Sequence, residues 1–295
     1  MLNGWIILDK PHGLGSTQAV GAVKRLLREA GYPKPKIGHG GTLDPLATGI
    51  LPIALGEATK LAGRMLDSDK VYDFTIAFGA ETDTLDLEGK VIARSDVVPA
   101  SAAISAILPQ FTGPIEQVPP AFSALKVDGK RAYDLARAGE AVALEKRQIR
   151  VHSLSLKDIN ADGSVTLSAN VSKGTYIRSL ARDIAHALGT VGHVTMLRRV
   201  KAGPFTEEQA ISLDILGEKA RSRALEDILL PLRTALVDIP ALALSPEQAR
   251  LIGHGRVLSG VAATDGLHLA TLDDVPVALV DVSSGTVTVE RGFNL

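Results

Sequence analysis

The chain has 295 residues, 45% of them hydrophobic and 22% charged, with a formal net charge of −1. That is an ordinary globular composition, long enough for one large domain and a small one. It contains no cysteine, which excludes disulfides, thiol catalysis and Cys-ligated zinc. A protein that coats long nucleic acid is usually strongly basic, so any RNA contact here has to run through a local patch. The longest apolar runs, such as residues 50–55, are far too short for a membrane span. Residues 1–5 show no basic region followed by an apolar core, so the expectation is a cytoplasmic protein with no membrane association.

Residues 4–9 read as a buried strand. Ser16 can cap a helix to about residue 30, with Val20, Val23, Leu26, Leu27 and Ala30 at helical spacing and Lys24, Arg25 and Arg28 on the exposed face. Residues 32–36 link this helix to an irregular stretch, 37–52. A strand is expected at 50–55 and a helix at 57–66. Residues 71–79 place Tyr72, Phe74, Ile76 and Phe78 on one face, as a strand does. Residues 80–89 are acidic and loop-like, and 100–111 are helical. Residues 121–127 suit a strand followed by an Asp128-Gly129 turn, then a short helix at 131–138. Residues 147–159 and 164–172 alternate apolar side chains around Asp162-Gly163, the pattern of an antiparallel hairpin. Thr175 can cap a helix to about residue 188, with Ile177, Leu180, Ala181 and Ile184 inward, and 193–200 form a strand. Helices are expected at 207–216 and 221–229. Ile239-Pro240 marks a boundary, beyond which short strands at 267–272, 276–282 and 287–291 make a small β unit. The expected fold class is α+β: a domain of residues 1–236 around a mixed, largely antiparallel sheet, and a small β domain of residues 237–295.

Stretch 37–52 carries four glycines and two prolines, and a single carboxylate, Asp44, among Leu43, Pro45 and Leu46. Glycine lets the backbone bend and lets a large ligand come close, and Pro45 holds Asp44 extended. A carboxylate in an apolar loop is costly unless something pairs with it. Two readings fit: a loop that presents one acid at a fixed angle, and a plain connection in which Asp44 forms a turn. No phosphate-cradling Gly-x-x-x-x-Gly-Lys-Ser/Thr occurs, and no His/Asp/Glu set has metal-ligand spacing, so no metal is expected. Gly13, Gly15 and Gly21 have the wrong spacing for a dinucleotide loop.

The run Gly38-His39-Gly40-Gly41-Thr42-Leu43-Asp44-Pro45-Leu46-Ala47-Thr48-Gly49 resembles the signature of bacterial tRNA pseudouridine-55 synthases of the TruB type. Asp9-Lys10-Pro11 with Gly13, Asp67-Ser68-Asp69-Lys70-Val71-Tyr72, Ser123-Ala124-Leu125-Lys126, Lys173-Gly174-Thr175-Tyr176-Ile177-Arg178 and Leu197-Arg198-Arg199 match further family motifs, in the family's order. Two positions depart: the family usually has Thr where Gly40 stands, and Thr-Ser where Gly15-Ser16 stand. The bacterial-like insert 85–139 sets the chain apart from the guide-dependent branch that works with partner proteins.

The resemblance implies a pseudouridine-synthase catalytic domain with a PUA-like RNA-binding domain after it. It implies isomerisation of uridine to pseudouridine at position 55 in the T arm of tRNA, without cofactor, by a monomer with no obligatory protein partner. Asp44 would be the catalytic carboxylate. Arg178, on the first turn of its helix, would pair with it, although most helical arginines face solvent. Tyr72 would stack on the base and take part in removing the C5 proton, but its position on an apolar strand face equally suits the core. Tyr176 and Leu197 would flank the base. His39 invites an acid–base reading; the family instead has it stack where the uridine has been flipped out. Lys10 and Pro11 would support the loop. Clusters at Lys24-Arg25-Arg28, Lys34-Lys36, Lys126-Lys130-Arg131, Lys146-Arg147-Arg150 and Arg198-Arg199-Lys201 could supply the phosphate-binding surface.

Overall fold

The structure is a computed structural model that describes residues 2–123, 125–127, 129–138 and 144–295, with side chains except at 126, 127, 130, 131 and 136. The expected Asp128-Gly129 turn, the motif match at Ala124, the end of the insert at Gly139 and the side chains of Lys126, Lys130 and Arg131 therefore lie outside the described residues.

In chain order the first half comprises β1 (Gly4–Lys10), α1 (Ser16–Glu29), β2 (Ile37–His39), β3 (Thr48–Leu55), α2 (Ala62–Asp67), β4 (Lys70–Phe78), β5 (Ala80–Thr82), β6 (Val91–Arg94), α3 (Ser101–Ile107), β7 (Gly113–Gln117), β8 (Lys126–Val127), β9 (Lys130–Arg131) and α4 (Ala132–Arg137). The second half comprises β10 (Arg147–Ile159), β11 (Val165–Val171), α5 (Ile177–Ala187), β12 (Gly192–Ala202), β13 (Phe205–Thr206), α6 (Leu213–Arg221), β14 (Ala241–Ala243), α7 (Pro246–Gly253), β15 (Gly266–Leu272), β16 (Val275–Ser283) and β17 (Thr286–Gly292).

The large sheet runs β1-β3-β12-β4-β11-β10-β7, with β2 on β3 and β13 on β12. All its pairings are antiparallel except β3 with β12, so the sheet is mixed and largely antiparallel as expected. The one parallel step is short: Thr48 faces Arg198 and Gly49 faces Arg199. Here Gly49 is obligatory. Its φ is +98°, and a Cβ would stand 2.3 Å from the Arg199 carbonyl oxygen. The loop that carries Asp44 ends at this step, so the parallel junction anchors it.

The hydrophobic patterns settle where the sequence put them. Helix α1 buries Val23 and Leu27 of its expected stripe together with Ala19, while Val20, Leu26 and Ala30 are half-buried at its edge; α5 buries Ile177, Leu180, Ala181 and Ile184 against Phe74, Ile76 and Leu167 of the sheet. Several local expectations change. Residues 80–89 are not simply loop, because Ala80–Thr82 pairs with β6. The helix expected at 57–66 is a 3-10 turn, Gly56–Leu61, followed by the short α2. Of the helices expected at 207–216 and 221–229, only α6 is an α-helix; Glu207–Gln209 and Leu225–Asp227 are 3-10 turns. Gly15 occupies the cap position of α1 and Tyr176 that of α5, so neither Ser16 nor Thr175 caps. The Thr175 hydroxyl donates to the Ser172 carbonyl instead.

At the C-terminus β14 pairs with β15 in parallel, and β15, β16 and β17 form an antiparallel meander. Helix α7 covers it through Ala249 and Ile252. From the same unit Leu269, Leu279 and Phe293 join Trp5, Phe205, Leu232 and Leu236 in one apolar cluster, so the small sheet packs on the large unit. Among the described residues no helix is long and apolar enough to cross a membrane.

Candidate active site

A cavity of about 290 Å³ opens beside the Asp44 loop. Its wall includes Asp44, Tyr72, Tyr176, Arg178 and Leu197, contributed by the loop, β4, the start of α5 and β12. These are five of the residues that the sequence singles out. The Asp44 side chain is 40% exposed and its Oδ2 lies 2.8 Å from Arg178 Nη2. The sequence placed Asp44 in an apolar loop that needs a partner, and the partner is this guanidinium, which is itself buried. Charge-assisted hydrogen bonds of this kind fix direction as well as energy. A larger cavity of about 580 Å³ lies between α2, the end of β12 and Ala235–Asp238, and holds no part of the Asp44 loop.

Arg178 is fixed from both sides. Nη1 donates to the Thr84 carbonyl at 2.8 Å and Nη2 to the Phe122 carbonyl at 3.1 Å. Asp86 Oδ2 sits 3.3 Å from Nη1. The other oxygen of Asp86 accepts from Thr84 Oγ1 at 2.6 Å and from the Glu88 amide at 3.0 Å. The buried Asp86 thus orients the guanidinium that orients Asp44. Asp86→Asn should lower the single-turnover rate at saturating RNA about tenfold, corresponding to roughly 1.4 kcal/mol at the transition state. A loss confined to RNA affinity, with that rate intact, would count against the arrangement.

The loop itself hangs on buried cations. Lys10 Nζ donates to the carbonyls of Pro11 (3.0 Å), Leu14 (2.6 Å) and Pro45 (3.2 Å). Arg199 donates to Ile50 (2.7 Å), Thr42 (3.2 Å) and Gly41 (3.2 Å). Lys70 donates to Met65, Leu66 and Ser68 at the end of α2. Ser16 clamps the residue next to Asp44: the Leu43 amide donates to Ser16 Oγ at 2.7 Å, and Ser16 Oγ donates to the Leu43 carbonyl at 2.9 Å. Arg199 is therefore no phosphate ligand. Neighbouring Arg198 is paired with Asp9 and Glu207, so the cluster at 198–201 does not present three free cations. Arg182 pairs with Asp183 and the Val118 carbonyl.

His39 and Pro11 stand outside the cavity wall, and Lys10 acts from beneath it. Burial, with Arg199 nearby, pushes the His39 imidazole below its ordinary value, so the ring is neutral at pH 7. Its Nδ1 accepts from the Gly41 amide at 3.4 Å. The departure at Gly40 has a local cause: a Cβ there would stand 2.6 Å from Met65 Cβ, so Met65 fills the space a threonine would need. Burial raises the Tyr176 phenol. The Tyr176 backbone is held by Gln117, whose side chain accepts from its amide at 2.8 Å and donates to its carbonyl at 3.1 Å.

Sequence reasoning missed Asp86, Gln117, Lys70 and the burial of Arg199. Lys70 lay within a matched motif and Ser16 at a departure from one, where it was expected to cap a helix; nothing in their pattern distinguished an inward group from a capping or surface one.

The lysines give a pH dependence. Burial, opposed by Asp44, brings Lys10 down to about 8. Burial and Arg199 bring Lys70 down to about 8. Both are charged at pH 7, and a neutral amine has two protons for three carbonyls. The single-turnover rate should therefore fall severalfold between about pH 7.5 and 9.5. The stability effect has the opposite sign. Unfolded lysines keep their protons to about 10.5, so above pH 8 the unfolded chain binds more protons and these two groups favour the folded state as pH rises. A melting temperature that drops in step with the rate would assign the loss to unfolding instead.

Comparison with known proteins gives a consistent picture. Residues 24–177 match the TruB family pseudouridylate synthase N-terminal domain, and residues 178–237 match the tRNA pseudouridylate synthase B C-terminal domain. The tRNA pseudouridine synthase B of Novosphingobium aromaticivorans is 64% identical over 299 residues, covering 100% of this chain and 98% of that protein. That of Zymomonas mobilis is 59% identical over 293 residues, covering 99% and 96%. Among solved structures, a chain of a Cbf5-Nop10-Gar1 complex superposes with a TM-score of 0.75 at 26% identity, covering 99% of this chain and 85% of that one. The chain belongs to the TruB family of pseudouridylate synthases, which are isomerases.

Proposed function

We propose that this enzyme converts uridine to pseudouridine at position 55 in the T arm of tRNA, acting on a flipped-out nucleotide with Asp44 as the catalytic carboxylate. The reading is carried by one observation: the half-exposed carboxylate of Asp44 lines the cavity and is held at 2.8 Å by the buried guanidinium of Arg178. The relatives named tRNA pseudouridine synthase B support tRNA as the substrate. The reaction breaks the C1′–N1 bond, turns the uracil and joins C5 to C1′. The C5 hydrogen leaves as a proton, so nothing is oxidised or hydrolysed overall. The chemistry needs an anionic group near the sugar or base, a route for the C5 proton and a dry site that retains the loose base.

Asp44 supplies the anion, Arg178 holds its direction, and Tyr72 relays the C5 proton. Tyr176 and Leu197 bracket the base. His39, neutral and outside the cavity, enters the RNA loop and replaces the stacking lost when the base is extruded, a cost of a few kcal/mol. Lys10 and Pro11 brace the loop. Residues 237–295 serve as a PUA-like unit that holds the RNA. The protein acts as a cytoplasmic monomer without an obligatory protein partner.

No cofactor enters this scheme. Activity should survive exhaustive EDTA treatment with the tRNA kept folded. Loss of activity that a stoichiometric transition metal alone restores would contradict it. The test of the target is an isolated T-arm stem-loop beside full tRNA. Both should be modified at position 55, and a transcript with cytidine there should yield no pseudouridine. Modification elsewhere in the same transcripts would replace the assignment.

A further inference from the structure

The cavity holds a hydroxyl that the scheme above does not use. Ser123 is 4% exposed, and its Oγ has no hydrogen-bond partner among the described residues. Burying a hydroxyl without a partner is costly, and a native structure rarely does so without reason. A buried serine with only a packing role would be replaced by alanine at no loss. Ser123 also has a particular position. It borders the Asp44 cavity, and it borders a second space of about 160 Å³ lined by Asp44, Thr84, Asp86, Phe122, Tyr133 and Arg178. It stands beside the Tyr176 phenol, where it opposes the upward shift that burial imposes. The hydroxyl therefore borders the catalytic carboxylate, its guanidinium and the Tyr176 phenol, and even its approach to that phenol falls short of a well-formed hydrogen bond, so most of its donor and acceptor capacity is left for a ligand.

We propose that the Ser123 hydroxyl binds the polar edge of the flipped uracil. The inference rests on the uridine-isomerase reading above. Leu66, Tyr72, Val171, Tyr176, Ile177 and Leu197 form the apolar and aromatic part of the wall, while the polar groups of Lys70, Ser172, Thr175 and Arg199 are engaged with the backbone. Such a wall grips the faces of a base and offers little to its carbonyls and imide N–H. A hydroxyl can donate to a carbonyl and accept from an N–H, and it rotates freely. It can therefore stay bonded to uracil before and after the ring turns, when a different edge faces it. That suits a reaction whose intermediate is a detached base held by nothing covalent.

The test compares Ser123→Ala and Ser123→Thr with the unchanged enzyme, using tRNA transcripts carrying tritium at uracil C5. Ser123→Ala should melt at the same temperature or higher and bind tRNA as well as the unchanged enzyme, since phosphate contacts dominate affinity. Its single-turnover rate should fall about ten- to hundredfold, the loss expected when a site gives up a hydrogen bond to its substrate. Ser123→Thr, which keeps the hydroxyl, should recover most of that rate. A Ser123→Ala rate within twofold of the unchanged enzyme would overturn the proposal. So would a lowered melting temperature that Ser123→Thr restores along with the rate, because the hydroxyl would then serve the fold. Failure of the unchanged enzyme to release tritium from any tRNA would instead overturn the reading on which the proposal rests.

Discussion

Asp44→Asn should abolish pseudouridine formation while leaving tRNA affinity within a few-fold of the unchanged enzyme. The substitution conserves shape and removes charge. The Asn carbonyl can still accept from Arg178 Nη2, so the loop, braced by Lys10, Ser16 and Arg199, has no reason to move. No second acid is placed to take over. Asp44 is the one carboxylate among the described residues lining its cavity; Asp86 and Glu88 border only the adjoining smaller space, and the Asp86 carboxylate is already engaged by Arg178 and Thr84. Affinity should persist because backbone phosphates supply most of it. Binding is read by filter retention and turnover by tritium release with enzyme in excess. Slow but substantial release by the mutant would remove Asp44 from the chemistry.

Tyr72→Phe carries the next largest expected effect. Tyr72 lies on β4 between Ala169 of β11 and Arg199 of β12. It packs at the edge of two apolar clusters while its side chain also lines the cavity, so it is neither plain core nor plain surface. Phenylalanine keeps the ring and the packing, and the change in stability should be small. What it removes is the oxygen that can carry the C5 proton, and general acid–base groups typically contribute about 10²–10⁴-fold. The mutant should fold, bind tRNA normally and react more slowly by that factor in a single-turnover time course. A rate within a few-fold of the unchanged enzyme would make Tyr72 a packing residue and leave the C5 proton to another group or to water.

Much of the fold is legible in the sequence wherever one face of an element is apolar. The alternation along residues 147–159 and 164–172 gives the β10–β11 hairpin, and the spacing of Val20, Val23, Leu26 and Leu27 gives α1. Elements without such a stripe stay hidden. β7 is a short edge strand containing Pro114, and β2 has three residues. α7 was legible and overlooked: Ser245 and Gln248 form a reciprocal capping box with Pro246 at the first position. In the site, the motifs mark Asp44, Tyr72, Tyr176, Arg178 and Leu197, which the fold collects from four separate segments around one cavity. The support is harder to see, because a lysine or arginine in a string of residues reads as solvated. Lys70 and Arg199 lie inside because they donate to carbonyls at the end of α2 and in the loop, at Met65, Leu66, Gly41 and Thr42. Those contacts arise only in three dimensions.

The measurement closest to the central claim uses tRNA labelled with tritium at C5 of uridine 55 alone, incubated with the unchanged enzyme and with Asp44→Asn. The account predicts that the enzyme releases the label completely, leaves pseudouridine at that one position, and that the mutant releases none. Release from tRNA labelled at other uridines, with the label at position 55 retained, would contradict it.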